Sequence, residues 1–214
     1  MKAARPLLVV AALAAALPAL AGTFMFPTAD PPIVIPDASG GVFTACQNVL
    51  VSVTATITGV TVQTAVGHSW VGDLTYRLTA PSTSVLTLMN RPGRVGAGFG
   101  NSANAAAATP LIFADAAAST QSAEDMGEAP VGTACGTATV VGAGCGPDNY
   151  IPAPNAGDTP IPGVGTNLAD FNGQNPMGTW TLCVADSAGG DTGTLSTWTL
   201  IIDEPVELES FSVE

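Results

Sequence analysis

Alternation of apolar and polar residues with a period of two runs through most of the chain from about residue 45 to residue 203. Val49, Val51, Val53, Ala55 and Ile57 alternate with Leu50, Ser52, Thr54, Thr56 and Thr58, the pattern of a strand with one buried face. Gly59 interrupts it before Val60, Val62 and Thr64 continue, which predicts a bulge or a tight turn at the glycine. Asp73 to Ala80 places Leu74, Tyr76 and Leu78 on one side, and Val85 to Met89 follows after a turn at Pro81-Ser82. A glycine-rich loop then leads to the short apolar run Leu111-Ile112-Phe113. Near the end, Gly178 to Asp186 alternates Trp180, Leu182 and Val184 against Thr179, Thr181 and Cys183. Gly189, Gly190 and Gly193 predict a hairpin into Thr194–Asp203, where Leu195, Thr197, Thr199 and Ile201 alternate with Ser196, Trp198, Leu200 and Ile202.

Few stretches combine helical spacing with helix formers and caps; residues 168–172 predict only a brief helical turn. The expected fold is all-β, an antiparallel jelly-roll-like β-sandwich of about eight strands spanning 45–203. A Pro-rich lead-in at 22–44 is expected to be extended, because Pro27, Pro31, Pro32 and Pro36 oppose a helix. Residues 115–165 read as a long loop insertion of Ala, Gly, Thr and Pro. The acidic tail at 204–214, with Val206, Leu208 and Phe211, fits either a last edge strand or a frayed end.

The chain start has a different character. Lys2 and Arg5 precede the apolar run Leu7–Leu17, and Pro18 leads into the small-residue triplet Ala19-Leu20-Ala21. This is the layout of a secretory signal peptide over residues 1–21, cleaved near Ala21. Its apolar run is shorter than the roughly 20 residues that cross a bilayer. The expected location is secreted or periplasmic, with no membrane span. Loss of Lys2 and Arg5 leaves Arg77, Arg91 and Arg94 against 17 acidic residues, a formal charge of −14 and no lysine. Such a chain lacks the clustered cations that grip phosphates, which argues against nucleic acid as a partner. The acidity fits solubility outside the cell.

Cys46, Cys135, Cys145 and Cys183 make an even count, which in an exported chain predicts two disulfides. Three pairings exist in principle. Cys135 and Cys145 bracket a short loop and pair locally, which leaves Cys46 to staple an early strand to Cys183 on a late one. Zinc is disfavoured, because there is no C-x-x-C and His68 is the only histidine.

Several segments together resemble a known family. Val66-Gly67-His68-Ser69-Trp70-Val71-Gly72-Asp73-Leu74 precedes Arg77-Leu78-Thr79-Ala80-Pro81 and Val85-Leu86-Thr87-Leu88. Phe113-Ala114-Asp115 and Leu168-Ala169-Asp170-Phe171-Asn172-Gly173 follow in the same order, then the W-x-L runs of Gly178–Asp186 and Gly193–Leu200. The set resembles the P domain, or P/Homo B domain, of proprotein convertases and subtilisin-type bacterial proteases. The resemblance implies a jelly-roll module packed beside a protease domain. It also implies a non-catalytic role in the folding and stability of that protease and in its calcium and pH dependence. The sequence departs from the family in its long cysteine-bearing insertion and in carrying no protease domain before the module.

Candidate chemistry is sparse. Subtilisin-type catalysis needs a serine, a histidine and an aspartate oriented together. His68 lies in Gly-His-Ser-Trp, with no His-Gly-Thr, Gly-Thr-Ser-Met-Ala or G-x-S-x-G stretch. No catalytic residue is assigned, and His68 is expected to support a strand end with Asp73 as its hydrogen-bond partner. Asp73, Asp115, Asp170, Asp186 and Asp191 are the carboxylates available for glycosidase-type chemistry, although acids at strand ends are usually solvated or loop-capping. Asp186 and Asp191 flank a Gly-rich turn and are the weak candidates for Ca2+, the one cofactor considered; the spacing is not that of an EF-hand. Gly96–Gly100 and Gly142–Gly146 read as loops, since neither opens a helix after a strand. Trp180 and Trp198 are expected in the core, while Trp70 is left open as a carbohydrate platform.

The leading expectation is therefore an exported module acting through a protein partner, a subtilisin-type protease or a cell-surface assembly. A carbohydrate- or surface-adhesive sandwich is the rival, and a purely structural extracellular protein the third class.

Overall fold

On β3 (Ala45–Val51) every odd-numbered residue is buried, and on β10 (Gly178–Asp186) Trp180, Leu182 and Val184 point inward from the same sheet. Two such one-faced sheets cover each other's apolar sides, and that pairing is the fold. The computed structural model describes residues 21–94, 96–115, 121–123, 149–152 and 167–205. The remaining strands are β1 (Ala21–Pro27), β2 (Ile33–Ile35), β4 (Gly59–His68), β5 (Leu74–Thr79), β6 (Val85–Asn90), β7 (Leu111–Phe113), β8 (Gln121–Ser122), β9 (Asn149–Ile151) and β11 (Gly193–Pro205). One sheet has the order β3-β10-β5-β6. The other runs β1-β11-β4-β7-β9-β8, with β2 also paired to β11. All pairings are antiparallel except those of β9 with β7 and β8. Helical structure among the described residues is limited to 3-10 turns, notably Val71–Asp73 and Leu168–Phe171.

The core lies between the sheets. Trp180, Leu182, Val184, Leu78 and Tyr76 come from the four-stranded sheet, and Val62, Val66, Trp198, Leu200 and Ile202 from the larger one. Full burial of each aliphatic side chain contributes about 1.5–3 kcal/mol. Phe171, on the second 3-10 turn, meets Trp180 edge-on at 5.1 Å between ring centroids. The Asp170 carboxylate caps that turn by accepting the Asn167 backbone N–H at 3.2 Å.

Three expectations need correction. First, β10 and β11 do not form a hairpin. The loop between them crosses from one sheet to the other, so that the apolar faces of both strands line the shared core from opposite sheets. Second, the pairing of β11 with β4 shifts register between Leu195 and Thr197. The extra residue, Ser196, switches the inward face, so Leu195 shares the core with Trp198, Leu200 and Ile202 instead of facing the same way as Thr197 and Ile201. Third, the Pro-rich stretch at 22–44 belongs to the sandwich. Ala21–Pro27 pairs along Thr199–Pro205, and Ile33–Ile35 pairs with Gly193–Leu195. Prolines at the ends of edge strands leave the ladder intact.

Smaller differences follow the same logic. β3 ends at Val51, and Ile57 instead donates its backbone N–H to Gln174, docking the connection near the second 3-10 turn. Gly59 opens β4 opposite Asp203. The insertion at 115–165 contributes β8 and β9 to the large sheet, which helps raise the strand number above eight. Residues 1–20, Cys135, Cys145 and residues 206–214 lie outside the described residues, and with them most of the expected signal peptide, the expected Cys135–Cys145 pairing and most of the acidic tail.

Cys46 and Cys183 are directly opposite on β3 and β10, and their sulfurs are bonded across a sequence separation of 137 residues. Both lie on the outer face of the sheet.

Candidate functional site

The histidine ends a strand. His68 is the last residue of β4, opposite Gly193 of β11 and bridged to Ala105. A Cβ on Gly193 would come within 2.3 Å of the imidazole Cδ2, so a glycine there makes room for the ring. Asp186 is the last residue of β10, in the other sheet. The two meet where the sheets close, with His68 Nε2 3.2 Å from Asp186 Oδ2 and both side chains fully buried. The partner of His68 is thus Asp186 and not Asp73. Sequence spacing cannot show this, because the pair joins residues 118 apart through the crossover of two sheets. Asp186 Oδ1 accepts a bond from the Ala188 backbone N–H at 3.1 Å, which holds the start of the Gly-rich turn.

Asp73 is adjacent but serves a different group. It lies in the 3-10 turn before β5, is 1 % exposed, and takes the Arg91 guanidinium at 3.3 Å. Burial pushes the Asp73 carboxyl above its ordinary value, and the Asp186 charge adds to the rise, while Arg91 pulls it back. His68, Asp73, Arg91 and Asp186 therefore form one buried polar node that ties β4, β5, the turn after β6, and β10 together.

The other candidates hold loops. Ser69 donates its hydroxyl to Asp191 at 2.7 Å. Asp115 accepts the Leu168 backbone N–H at 2.9 Å, and burial outweighs that bond and pushes its carboxyl up. Asp170 caps its own turn. Asp186 and Asp191 have these separate partners, and among the described residues no group of three or more His, Cys, Asp or Glu could hold a metal ion. Trp180 and Trp198 are each 1 % exposed, which withdraws them from any sugar-binding surface. Trp70 is half-buried and donates its indole N–H to the Phe99 carbonyl at 2.9 Å, anchoring the loop after β6.

A hydrolytic relay needs the second imidazole nitrogen to face a nucleophile. Here Nδ1 lies 2.9 Å from the Trp70 carbonyl and 3.1 Å from the Trp70 backbone nitrogen. Both ring nitrogens are engaged within the node, and the Ser69 hydroxyl is turned to Asp191. The arrangement locks loops; it presents no proton acceptor to a substrate.

Residues 164–202 match the proprotein convertase P-domain. The P-domain match takes in the second 3-10 turn, β10 and nearly all of β11, and so Asp186, Cys183, Trp180 and Trp198. The His68-to-Asp73 segment falls outside it. No curated protein matches the chain at a significant level. Among solved structures, the complex of the Aeromonas sobria serine protease and the chaperone is similar, with a TM-score of 0.47 and 15% identity. The serine protease of Aeromonas sobria alone gives a TM-score of 0.45 and 13% identity. In both cases 88% of this chain is covered but only 27% of the solved chain, so this chain spans about a quarter of the length of those proteins. Among the described residues no helix is long and apolar enough to cross a membrane.

Proposed function

We propose that the chain is an exported, non-catalytic β-sandwich module that binds a subtilisin-type serine protease and supports its folding or stability. The match of residues 164–202 to the proprotein convertase P-domain carries this reading. The buried node is in keeping with it, since the one histidine is committed to Asp186 and to the Trp70 backbone. Export through cleavage near Ala21 is part of the proposal, and the Cys46–Cys183 bridge suits an oxidising compartment.

The test uses the full exported chain, immobilised and exposed to the secreted proteins of its source cell. Retained proteins are treated with a fluorophosphonate probe, which labels active serine hydrolases. The expected result is one labelled subtilisin-type protease that soluble chain displaces, with the chain itself unlabelled. Specific retention of glycans with no labelled protease would overturn the proposal in favour of the adhesive reading. Labelling of the chain itself would overturn the non-catalytic part.

A further inference from the structure

Beyond the leader, three arginines are the only Lys or Arg residues in a chain with 17 acids, and all three line one cavity. The cavity measures about 460 Å³, a size suited to a small ligand or a peptide side chain. Arg77 enters from β5, Arg91 and Arg94 come from the turn after β6, and Phe43 closes one wall. Among the described residues no acid lines the cavity. With acids so abundant, the convergence of the three arginines on a hollow whose described lining carries no carboxylate is the reverse of what composition would produce by default.

Each arginine is held. The Arg77 guanidinium lies 4.0 Å above the Phe43 ring centroid, a cation–π contact that fixes its plane. Its Nε is buried and has no hydrogen-bond partner, which leaves a cationic donor short of an acceptor in a half-buried place. Burial lowers the Arg77 pKa. Arg91 has a left-handed backbone, φ 50°, unusual for a residue with a side chain. Its guanidinium is steered by the Gly72 carbonyl and by Asp73, both at 3.3 Å. Arg94 Nε donates to the Gly98 carbonyl at 3.2 Å. On the cavity wall Thr75 donates its hydroxyl to Asn90 at 3.0 Å.

We infer that this cavity is a carboxylate-binding site, which takes either a free carboxylic acid or the carboxylate of a peptide. Guanidinium groups recognise carboxylates through paired N–H donors in a fixed fork. The Phe43 ring offers the remainder of the ligand an apolar surface beside the open backbone at Gly40 and Gly41, which a bare inorganic ion would leave unused. Asp73, through Arg91, connects this cavity to the buried node. The inference rests on the cavity and its arginines and is independent of the protease proposal.

Calorimetric titration of the full chain tests it with four probes. They are succinate, an acetylated tetrapeptide ending in a glutamate with a free C-terminus, the glutamine-amide version of that peptide, and inorganic phosphate. The carboxylate probes are expected to bind at millimolar concentration or below, and the amide is not. Binding of succinate points to a free acid as the source; binding of the peptide alone points to a peptide-borne one. Arg77→Gln and Arg94→Gln are each expected to weaken binding about tenfold or more, the loss of a charge-assisted hydrogen bond. Circular dichroism and a melt check that each variant folds, and Arg91 is left intact because it also holds Asp73. No binding by either carboxylate probe, or binding unaffected by both variants, overturns the inference. Phosphate binding tighter than both carboxylates overturns the ligand assignment.

Discussion

Replacing both bridged cysteines with serine should cost this domain a large part of its stability, and the cause can be isolated. β3 is an edge strand, paired only with β10 in its sheet. Its bond from Cys46 to Cys183 closes a loop across 137 residues of sequence separation. The chain-entropy relation gives about 5 kcal/mol at 25 °C for a loop of that length. Domains of this kind have about 5–15 kcal/mol in total. Because both sulfurs sit on the outer face, beside Thr179 and Thr181, the Cys46→Ser/Cys183→Ser double variant opens no cavity in the core. The loss therefore reports loop closure in the unfolded chain and not packing. Urea titration followed by tryptophan fluorescence suits the measurement, since Trp180 and Trp198 are each 1 % exposed. The expected loss is about 3–5 kcal/mol, and reduction of the wild type should lower stability by at least as much, since it opens every disulfide in the chain. A loss under about 1 kcal/mol would refute the reasoning. It would mean that the unfolded chain gains little freedom when the bridge is removed.

Two further outcomes follow from the buried node. Asp186→Ala leaves the buried His68 ring nitrogen without its acceptor and should cost about 1–3 kcal/mol by the same urea assay; a change under about 0.5 kcal/mol would show that the pair contributes little. The pH response has a definite sign. Burial raises the Asp73 and Asp115 carboxyls above their ordinary value of 3.8, so the folded state holds their protons more tightly than the unfolded state. Their contribution to stability therefore increases as pH falls through the raised values and levels off below 3.8. The melting temperature should rise as pH falls through those raised values toward 3.8, and Asp73→Asn should flatten the rise. A steady fall over the same range in the wild type contradicts the assignment.

The strands with strict alternation were legible, and β10 is the clearest: Trp180, Leu182 and Val184 face the core as their spacing implies. β1 and β2 were not, since two short runs among prolines carry little periodicity and become strands only by borrowing the edge of β11. The face change at Ser196 was hidden for a related reason. A bulge is a mismatch between two strands, and one strand's pattern does not contain it. At the node, the sequence placed His68 at a strand end and flagged Asp73 and Asp186, yet it assigned the wrong carboxylate to the ring. Arg91 and Arg94 entered the sequence reading only as a charge count, and Arg77 besides that only as part of a strand motif; their scarcity was the available signal, and their convergence was invisible.

By itself the sequence determined the architecture class, because period-two burial admits a sheet with one wet face and therefore a second sheet to cover the other. It also determined that positive charge would be scarce. Which strands lie in which sheet, which acid meets His68, and where the three arginines gather were decided only by tertiary structure. Those are contacts between distant segments, and their energies depend on how two twisted sheets close over one core, a quantity that no local window of residues encodes.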